Sequence, residues 1–303
     1  MRLFPSSQSV TAAYDFPTTR KAGWVAESLV ERPIAGVELV EPRALDPGEL
    51  DVHDPAYVAA VMSGEPRELA ESQGFEWDPR LPASVLAMNG GMVAAALDAL
   101  AAGVSGCLGS GFHHAKWERG DGFCTFNGIA LAAKRAIEAG AESVLILDFD
   151  AHCAGGTHEL IADTLTGNER ISQTDVAVSQ FDWYLPVERC TLDVVSSAEE
   201  YLPTVRGRLE ELSRRAEKPA LCIYYAGMDP DERCDIGGLR GISAEILAER
   251  ERMVFDWCAS HGVPIAFGLA GGYPSARLSQ DELVELHRMT LAEAVSSAQR
   301  ATG

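Results

Sequence analysis

The sequence predicts an α/β protein with a mainly parallel central sheet and helices on both faces. Two observations lead there: short apolar, β-branched runs alternate with longer helical patterns, and no internal repeat or linker interrupts them. Strands that alternate with helices pair in parallel, because each helix returns the chain across a face of the sheet. The length of 303 residues is enough for one core, so we expect one domain over 1–303.

The predicted elements follow one another in a regular order. The strands are 104–110, 143–149, 174–179, 220–226 and 264–269, and the helices are 84–102, 127–139, 197–216, 243–260 and 280–299. The helix 84–102 is rich in alanine and contains the pair Gly90-Gly91, which favours close packing rather than a break.

The composition excludes some classes of partner. The formal charge is −20, from 45 acidic and 25 basic residues. Such a surface repels nucleic acid, which is bound through basic patches. It attracts cationic substrates such as polyamines or lysine-rich tails, although a charged surface that keeps the protein soluble explains the same balance.

Compartment and membrane association are also constrained. The N-terminus lacks the pattern of a signal peptide, and no run approaches the roughly 18 apolar residues of a membrane span. The seven cysteines are scattered and include no C-x-x-C, which favours reduced thiols in a cytoplasmic protein. The sequence sets no oligomeric state.

Polar residues follow four of the predicted strands. They are His113 and His114 after the first, Asp148, Asp150 and His152 at the second, Asp229 after the fourth, and Tyr273 after the fifth. The carboxyl ends of parallel strands share one edge of a sheet, where ligands bind in such folds. We therefore expect these side chains to converge on one site.

The segment 148–152 has the pattern of a metal site. Its polar residues Asp148, Asp150 and His152 alternate, so in an extended chain they share a face. Asp150, His152 and Asp229 would form a three-ligand site with an open position, as a catalytic Zn²⁺ requires. A solvated loop is the alternative interpretation, and the residues at the neighbouring strand ends argue against it.

Five motifs together resemble one family. They are Gly111-Phe-His-His-Ala-Lys, Asp121-Gly-Phe-Cys-Thr-Phe-Asn127, Asp148-Phe-Asp-Ala-His, Ala226-Gly-Met-Asp229 and Gly271-Gly-Tyr273. In this order they resemble the histone deacetylase superfamily, including acetoin-utilisation proteins and acetylpolyamine amidohydrolases, and the region from Ala226 is most similar to the class IV branch. The resemblance implies the three-layer arginase/deacetylase fold with about eight strands.

The resemblance also implies roles for the residues at the strand ends. Asp150, His152 and Asp229 would hold one Zn²⁺ per chain. His114 would be the general base, His113 its electrostatic partner held by Asp148, and Tyr273 the donor to the oxyanion. Gly122, Phe123 and Gly271 would line the acyl tunnel, with Phe123 as one wall. A structural K⁺ would lie near Asp148, Asp150, His152, Ser179 and Gln180.

The sequence departs from the family pattern in three places. Gly155 stands where the family has an Asp or Asn that supports the second histidine, so His114 lacks this carboxylate unless water or another residue substitutes for it. The loop after Ser179 is short, so the second tunnel wall would come from Phe181, Trp183 or Tyr184, or be missing. The acid that holds the substrate backbone at the rim has only Asp78 or Glu76 as candidates.

These observations predict a zinc-dependent amide hydrolase that removes an acyl group from acyl-lysine, an acetylpolyamine or an acylated small metabolite. Two alternatives remain. An arginase-like enzyme with two manganese ions would need a carboxylate where Ala154 stands, although Asp229-Pro-Asp231 partly mimics its other half. A non-catalytic homologue would bind acylated ligands or metal without turnover, because Gly155 weakens the base.

Overall fold

The computed structural model describes residues 1–5, 17–164 and 168–302, and its α/β fold has an all-parallel sheet of eight strands, as the sequence predicts. The strands are β1 (Arg2–Phe4), β2 (Glu38–Leu39), β3 (Val104–Cys107), β4 (Val144–Asp148), β5 (Ile171–Ala177), β6 (Cys190–Val194), β7 (Leu221–Ala226) and β8 (Ile265–Leu269).

Helices connect most of these strands. They are α1 (Pro17–Glu31), α2 (Pro55–Ser63), α3 (Arg67–Ala70), α4 (Leu81–Ala102), α5 (Gly128–Glu138), α6 (Gly155–Glu159), α7 (Ala198–Ser213), α8 (Ala244–His261) and α9 (Gln280–Thr302). Short 3₁₀ turns lie at Pro47–Glu49 and Asn168–Arg170, and a π-helical turn follows α6 at Leu160–Thr164.

The order of strands across the sheet is β2-β1-β3-β8-β7-β4-β5-β6, and every pair is parallel. Strands β3, β8, β7 and β4 are thus consecutive across the centre. Asp148 at the end of β4 lies level with Tyr225 on β7 and Asp175 on β5. The four strand ends that carry the candidate residues therefore meet at one edge.

The sheet is the middle of three layers, and its alternating side chains feed two cores. On β7, Ile223 and Tyr225 face the core formed with α2, α4 and α5, whereas Cys222 and Tyr224 face the core formed with α1, α7, α8 and α9. All four are buried. Strands covered on both faces read as continuous apolar runs, which is why the central strands are visible in the sequence.

Helix α4 is long and apolar enough by length and composition to cross a membrane, but 61% of that apolar window is buried inside the protein. It continues through Gly90 and Gly91 without a break. A Cβ at Gly90 would lie 2.1 Å from the carbonyl oxygen of Arg43, so the glycine allows the chain to cross this helix closely. These contacts are those of a core helix.

The predicted strands and helices match observed elements and differ at their ends, but the sequence predicts no element at α1, α2, β6 or the short strands β1 and β2. The third predicted strand, 174–179, begins earlier, since β5 spans Ile171–Ala177. The first, 104–110, ends at Cys107, where the glycine-rich turn starts. Strands β1 and β2 have three and two residues, too few to show a period of two.

Candidate active site

Three potential metal ligands meet at the carboxyl edge of the sheet. Asp150, His152 and Asp229 place ligand atoms within 4.8 Å of one another. His152 Nδ1 lies 3.0 Å from Asp150 Oδ1 and 3.2 Å from Asp229 Oδ2. The two carboxylates are buried and the imidazole is 12% exposed. The cluster is thus shielded from solvent at its two carboxylates and reached by solvent at His152.

The charges of this cluster favour a cation. Burial by itself would lower the pKa of His152, but the adjacent Asp150 and Asp229 outweigh it and raise that pKa to about 10. Burial raises the pKa of Asp229, and the charge of Asp150 adds to this. Two buried carboxylates that repel each other and hold a proton on their histidine neighbour are stabilised by any positive charge between them.

The surrounding backbone also fits a metal ion. Asp229 Oδ2 makes no hydrogen bond of good geometry although it is buried, so it has a lone pair available. The amide of Gly271 donates to Asp150 Oδ2 at 2.6 Å, and a Cβ at Gly271 would lie 1.9 Å from Asp229 Oδ2. The glycine lets the loop approach both carboxylates. Two oxygens and one nitrogen with a free side match a catalytic divalent site.

The His-His segment is held in place from several sides. The hydroxyl of Tyr225 on β7 accepts hydrogen bonds from the amides of Gly111 and Phe112, at 2.8 and 3.3 Å. Asn127 at the start of α5 donates to the carbonyl of Ala115 at 3.1 Å. These contacts fix the turn that presents both imidazoles.

His113 is paired as the sequence predicts. Its Nδ1 lies 3.0 Å from Asp148 Oδ2, and both side chains are buried. Burial lowers the pKa of His113, although the charge of nearby Asp150 opposes this. Asp148 occupies the last position of β4, one pleat below Asp150.

Another residue substitutes for the carboxylate that is missing at Gly155, as the alternative interpretation of the sequence allows. His114 Nδ1 lies 2.9 Å from Oδ2 of Asp182, which comes from the loop after β5. Asp182 can reach His114 because Gly155 has no side chain. A Cβ at Gly155 would lie 2.5 Å from Asp182 Oδ1 and 2.3 Å from the carbonyl oxygen of Asp182. Burial lowers the pKa of His114 to about 4, despite the opposing effect of Asp182.

Tyr273 follows the glycine loop that contacts Asp150 and is 9% exposed. Beneath it lies a fully buried lysine, Lys21 on α1, which donates to the carbonyl of Ala270 and lies 5.7 Å from the centre of the Tyr273 ring. Burial lowers the pKa of Lys21 to about 8, although Asp229 and Asp150 oppose the shift. Lys21 thus ties the chain before Tyr273 to α1.

Phe123 and Phe181 are the candidates for the two tunnel walls, and Phe181 lies against an imidazole. Phe123 has a positive φ of 64°, packs on Phe75 at 5.3 Å between ring centres, and donates its amide to the carbonyl of Gln73 at 2.8 Å. Phe181 is 46% exposed, and its ring meets that of His114 edge-on at 4.9 Å. A Cβ at Gly122 would lie 2.9 Å from the Phe181 ring, so Gly122 and Phe181 are in close contact.

The other two candidates for the second wall lie elsewhere. Trp183 is 54% exposed, whereas Tyr184 is buried and stacks on His158 at 4.1 Å. The ring centre of Phe181 also lies 5.9 Å from that of His152. Of the three aromatic residues of the short loop, Phe181 therefore has the contacts expected of a tunnel wall beside His114 and His152.

The remaining expected site residues are engaged in local contacts. Ser179 Oγ accepts from the amide of Phe181 at 3.3 Å, and its carbonyl accepts from the thiol of Cys153 at 3.2 Å. Its role and that of Gln180 in binding K⁺ stay predictions. Asp78 pairs with Arg80 at 2.7 Å before α4, and its role at the rim also stays a prediction.

The arginase-like alternative lacks its second metal site in the part of the chain that the structure describes. Asp231 is buried, and Arg233 binds both of its oxygens at 2.8 and 3.0 Å. Across the described ranges, the candidate metal ligands form only the cluster of Asp150, His152 and Asp229.

Sequence reasoning missed Asp182, Lys116 and Lys21. Gly155 was the signal for Asp182, because a missing carboxylate invites a search of neighbouring loops for a replacement. Lys116 lies two residues after His114 in the first motif, and its Nζ lies 3.0 Å from Asp182 Oδ1. Lys21 lies far from the motifs in sequence and carries no local signal.

Comparisons with known proteins identify the family. A model of the histone deacetylase domain matches residues 18–288. An uncharacterised protein of Picosynechococcus is 30% identical over 78% of this chain and 79% of its own length. Histone deacetylase 2 of Arabidopsis thaliana is 32% identical over 67% of this chain and 53% of its own length.

The same fold is found among solved structures. The HDA15 HD domain matches with a TM-score of 0.80 over 98% of this chain and 89% of that domain, at 19% identity. The family model covers most of the sequence and contains all five motifs that surround the metal cluster. The chain belongs to the histone deacetylase domain family.

Proposed function

We propose that this chain is a zinc-dependent deacylase that hydrolyses the amide between an acyl group and an amine. One observation carries the proposal: a buried, three-ligand cluster, in which Asp229 Oδ2 makes no hydrogen bond of good geometry, lies beside two histidines that each have their own carboxylate. This combination supplies a place for a cation, a base and an electrostatic partner within one edge of the sheet.

Asp150, His152 and Asp229 are the proposed ligands. A bound Zn²⁺ would act as a Lewis acid towards the acyl carbonyl and would acidify the attacking water. Burial and the charge of Asp150 raise the pKa of Asp148, which means that its charged form is destabilised. A monovalent cation such as K⁺ nearby would stabilise that charged form.

The remaining steps belong to side chains of this chain. His114, with Nδ1 turned to Asp182, takes the proton of the attacking water at Nε2 and returns it to the departing amine. His113 stays beside it, with ring centres 3.9 Å apart. Tyr273 donates its hydroxyl to the oxyanion that forms at the acyl carbon.

The walls and the surface point to the substrate class. Phe123 and Phe181 favour an apolar acyl chain, and the net charge of −20 favours a cationic carrier such as acyl-lysine or an acetylpolyamine. The rim beyond Phe181 is apolar as well, with Trp183, Leu185 and Val187 exposed. All seven cysteines are buried thiols, which supports a reducing, cytoplasmic location.

The proposal is tested by metal content and by hydrolysis of an acyl panel. We expect one zinc per chain and release of acyl groups from lysine and polyamine carriers, with loss of activity on chelation and recovery on adding Zn²⁺. Bound zinc without turnover on any carrier would instead support a binding protein, and two manganese ions with urea release would support the arginase type.

The role of Tyr273 is tested by Tyr273→Phe, which removes only the hydroxyl. We expect kcat to fall by about 100-fold to 1,000-fold, as for loss of one oxyanion donor. Tyr201→Phe is the matched control, because this hydroxyl is bound to Arg250 on the other face of the sheet. Near-normal kcat in Tyr273→Phe would remove the residue from the mechanism.

A further inference from the structure

Asp182 is an inward-pointing acid on an outward-facing loop. Its neighbours Phe181 and Trp183 are 46% and 54% exposed, whereas the Asp182 side chain is 4% exposed. Its backbone has a φ of 56°, in the left-handed region that non-glycine residues adopt rarely. A polar residue held in this conformation between two exposed aromatic residues indicates that its side chain has a specific task.

Three groups bind the carboxylate. Oδ2 lies 2.9 Å from His114 Nδ1 and accepts from the amide of Gly156 at 2.9 Å. Oδ1 lies 3.0 Å from Nζ of Lys116. Burial would raise the pKa of Asp182, but the contacts with His114 and Lys116 outweigh it and hold that pKa below its usual value. The group is a charged carboxylate with a polar partner at each of its two oxygens.

A charged carboxylate decides which imidazole nitrogen carries the proton. It can only accept, so Nδ1 of neutral His114 must be the donor, and Nε2 is left with a free lone pair. This is the tautomer that a general base needs, because the basic nitrogen is the one turned away from the carboxylate.

Gly155 and Asp182 are alternatives for the same space. A Cβ at position 155 would lie 2.3 Å from the backbone oxygen of Asp182 and 2.5 Å from its Oδ1. A side chain at position 155 and this conformation of Asp182 therefore exclude each other. Gly155, at the start of α6, leaves the space that the Asp182 loop occupies.

We propose that Asp182 is the positioning residue of His114, with Lys116 as its counter-charge, in place of a carboxylate at position 155. This proposal deepens the proposed function and rests on it. The carboxylate belongs to the loop that also carries Phe181, so the wall of the site and the orientation of the base depend on one segment. The carbonyl of Phe181 is anchored by the amide of Cys153 at 3.1 Å, beside the metal ligand His152.

The test measures the tautomer of His114 and the kinetics in the same zinc-loaded protein. Protein with ¹⁵N-labelled histidine shows by long-range ¹H–¹⁵N correlation which nitrogen is protonated. We expect Nδ1–H in the wild type and loss of this single tautomer in Asp182→Ala, with kcat lower by about 10-fold to 100-fold, a part of what a general base contributes. Lys116→Met should lower kcat less, by under about tenfold.

Asp193→Ala is the matched control, because it removes a carboxylate from an ion pair with Arg208 away from the site. It should leave both kcat and the His114 signal unchanged. Asp182→Asn keeps the shape and serves if Asp182→Ala does not fold. Its neutral amide should still lower kcat at least about tenfold, because it stabilises a protonated imidazole poorly.

An unchanged Nδ1–H signal together with kcat within threefold of the wild type in both Asp182 variants would overturn the proposal. Failure of the proposed function is a different result: the wild type would hydrolyse no acyl amine. In that case the tautomer of His114 in the wild type and in Asp182→Ala still decides whether Asp182 positions the imidazole.

Discussion

His113 and His114 are neighbours in sequence with rings 3.9 Å apart, yet their carboxylates come from different kinds of structure. Asp148, which binds His113, ends a central strand and is buried on all sides. Asp182, which binds His114, lies on a surface loop between two exposed aromatic residues. The His113–Asp148 dyad is therefore built on the sheet, whereas the His114–Asp182 dyad forms only when the loop after β5 folds over His114.

The difference has consequences for how each dyad fails. The pair of His113 and Asp148 is fixed by the strand register, so a change there disturbs the core. The pair of His114 and Asp182 depends on one loop and on the space above Gly155, so it can be disturbed without touching the sheet. Loops are also the segments that vary most freely, which suits a position where a carboxylate has been replaced.

The largest expected effect separates the two histidines themselves. His114→Ala should lower kcat by about 1,000-fold, because a general base contributes about 100-fold to 10,000-fold. His113→Ala should lower it less, because His113 takes no proton from the water and acts only through its contacts with His114 and Asp148. Steady-state kinetics on one acyl-lysine peptide, with zinc content measured for each variant, provide the comparison. A fall below tenfold for His114→Ala with a dead His113→Ala would reverse the two roles.

The next effect concerns the space that admits Asp182. Gly155→Ala should lower kcat by about 10-fold to 100-fold, because the new Cβ would lie 2.3 Å from the Asp182 carbonyl oxygen and must displace the loop. The effect should not add to that of Asp182→Ala, since both remove the same contact. A double variant whose loss equals the product of the two single losses would show that Gly155 acts elsewhere.

The same contrast explains what could be predicted from the sequence. The α/β class, the central strands and the triad of Asp150, His152 and Asp229 follow from alternation and from polar residues at strand ends, where position along the strand fixes direction. Asp182 could not be predicted in this way, because a loop residue has no period and its direction depends on φ. The departure at Gly155 indicates a missing group and leaves room for a substitute, but the sequence does not identify Asp182 as that residue.

Acid pH provides a smaller effect that distinguishes a neutral His114 dyad from an ion pair. The pKa of His114 is lowered from 6.5 to about 4, first by burial and then by His113. His114 is therefore protonated at a lower pH in the folded state than in the unfolded state. As a result, the free energy of unfolding falls as the pH falls from 6.5 towards 4. At pH 5.5 the loss from this one histidine is on the order of 1 kcal/mol.

The measurement is urea unfolding of the metal-free protein at pH 8 and pH 5.5, for the wild type and His114→Gln. The variant should lose less stability on acidification, by on the order of 1 kcal/mol, because it has no imidazole at this position to protonate in the unfolded chain. If the wild type gained stability at pH 5.5 relative to the variant, the dyad would be an ion pair and His114 would be charged.

The smallest expected effect compares the two walls. Phe123 is backed by Phe75 and by the carbonyl of Gln73, so Phe123→Ala should raise KM and change kcat little. Phe181 contacts His114 edge-on and precedes Asp182, so Phe181→Ala should also lower kcat. Loss of one such aromatic contact is worth about 0.5–1.5 kcal/mol, or roughly twofold to tenfold in kcat. If Phe181→Ala, like Phe123→Ala, raised KM and left kcat nearly unchanged, Phe181 would not help to hold Asp182 in place. The tunnel wall and the orientation of His114 would then be independent of each other.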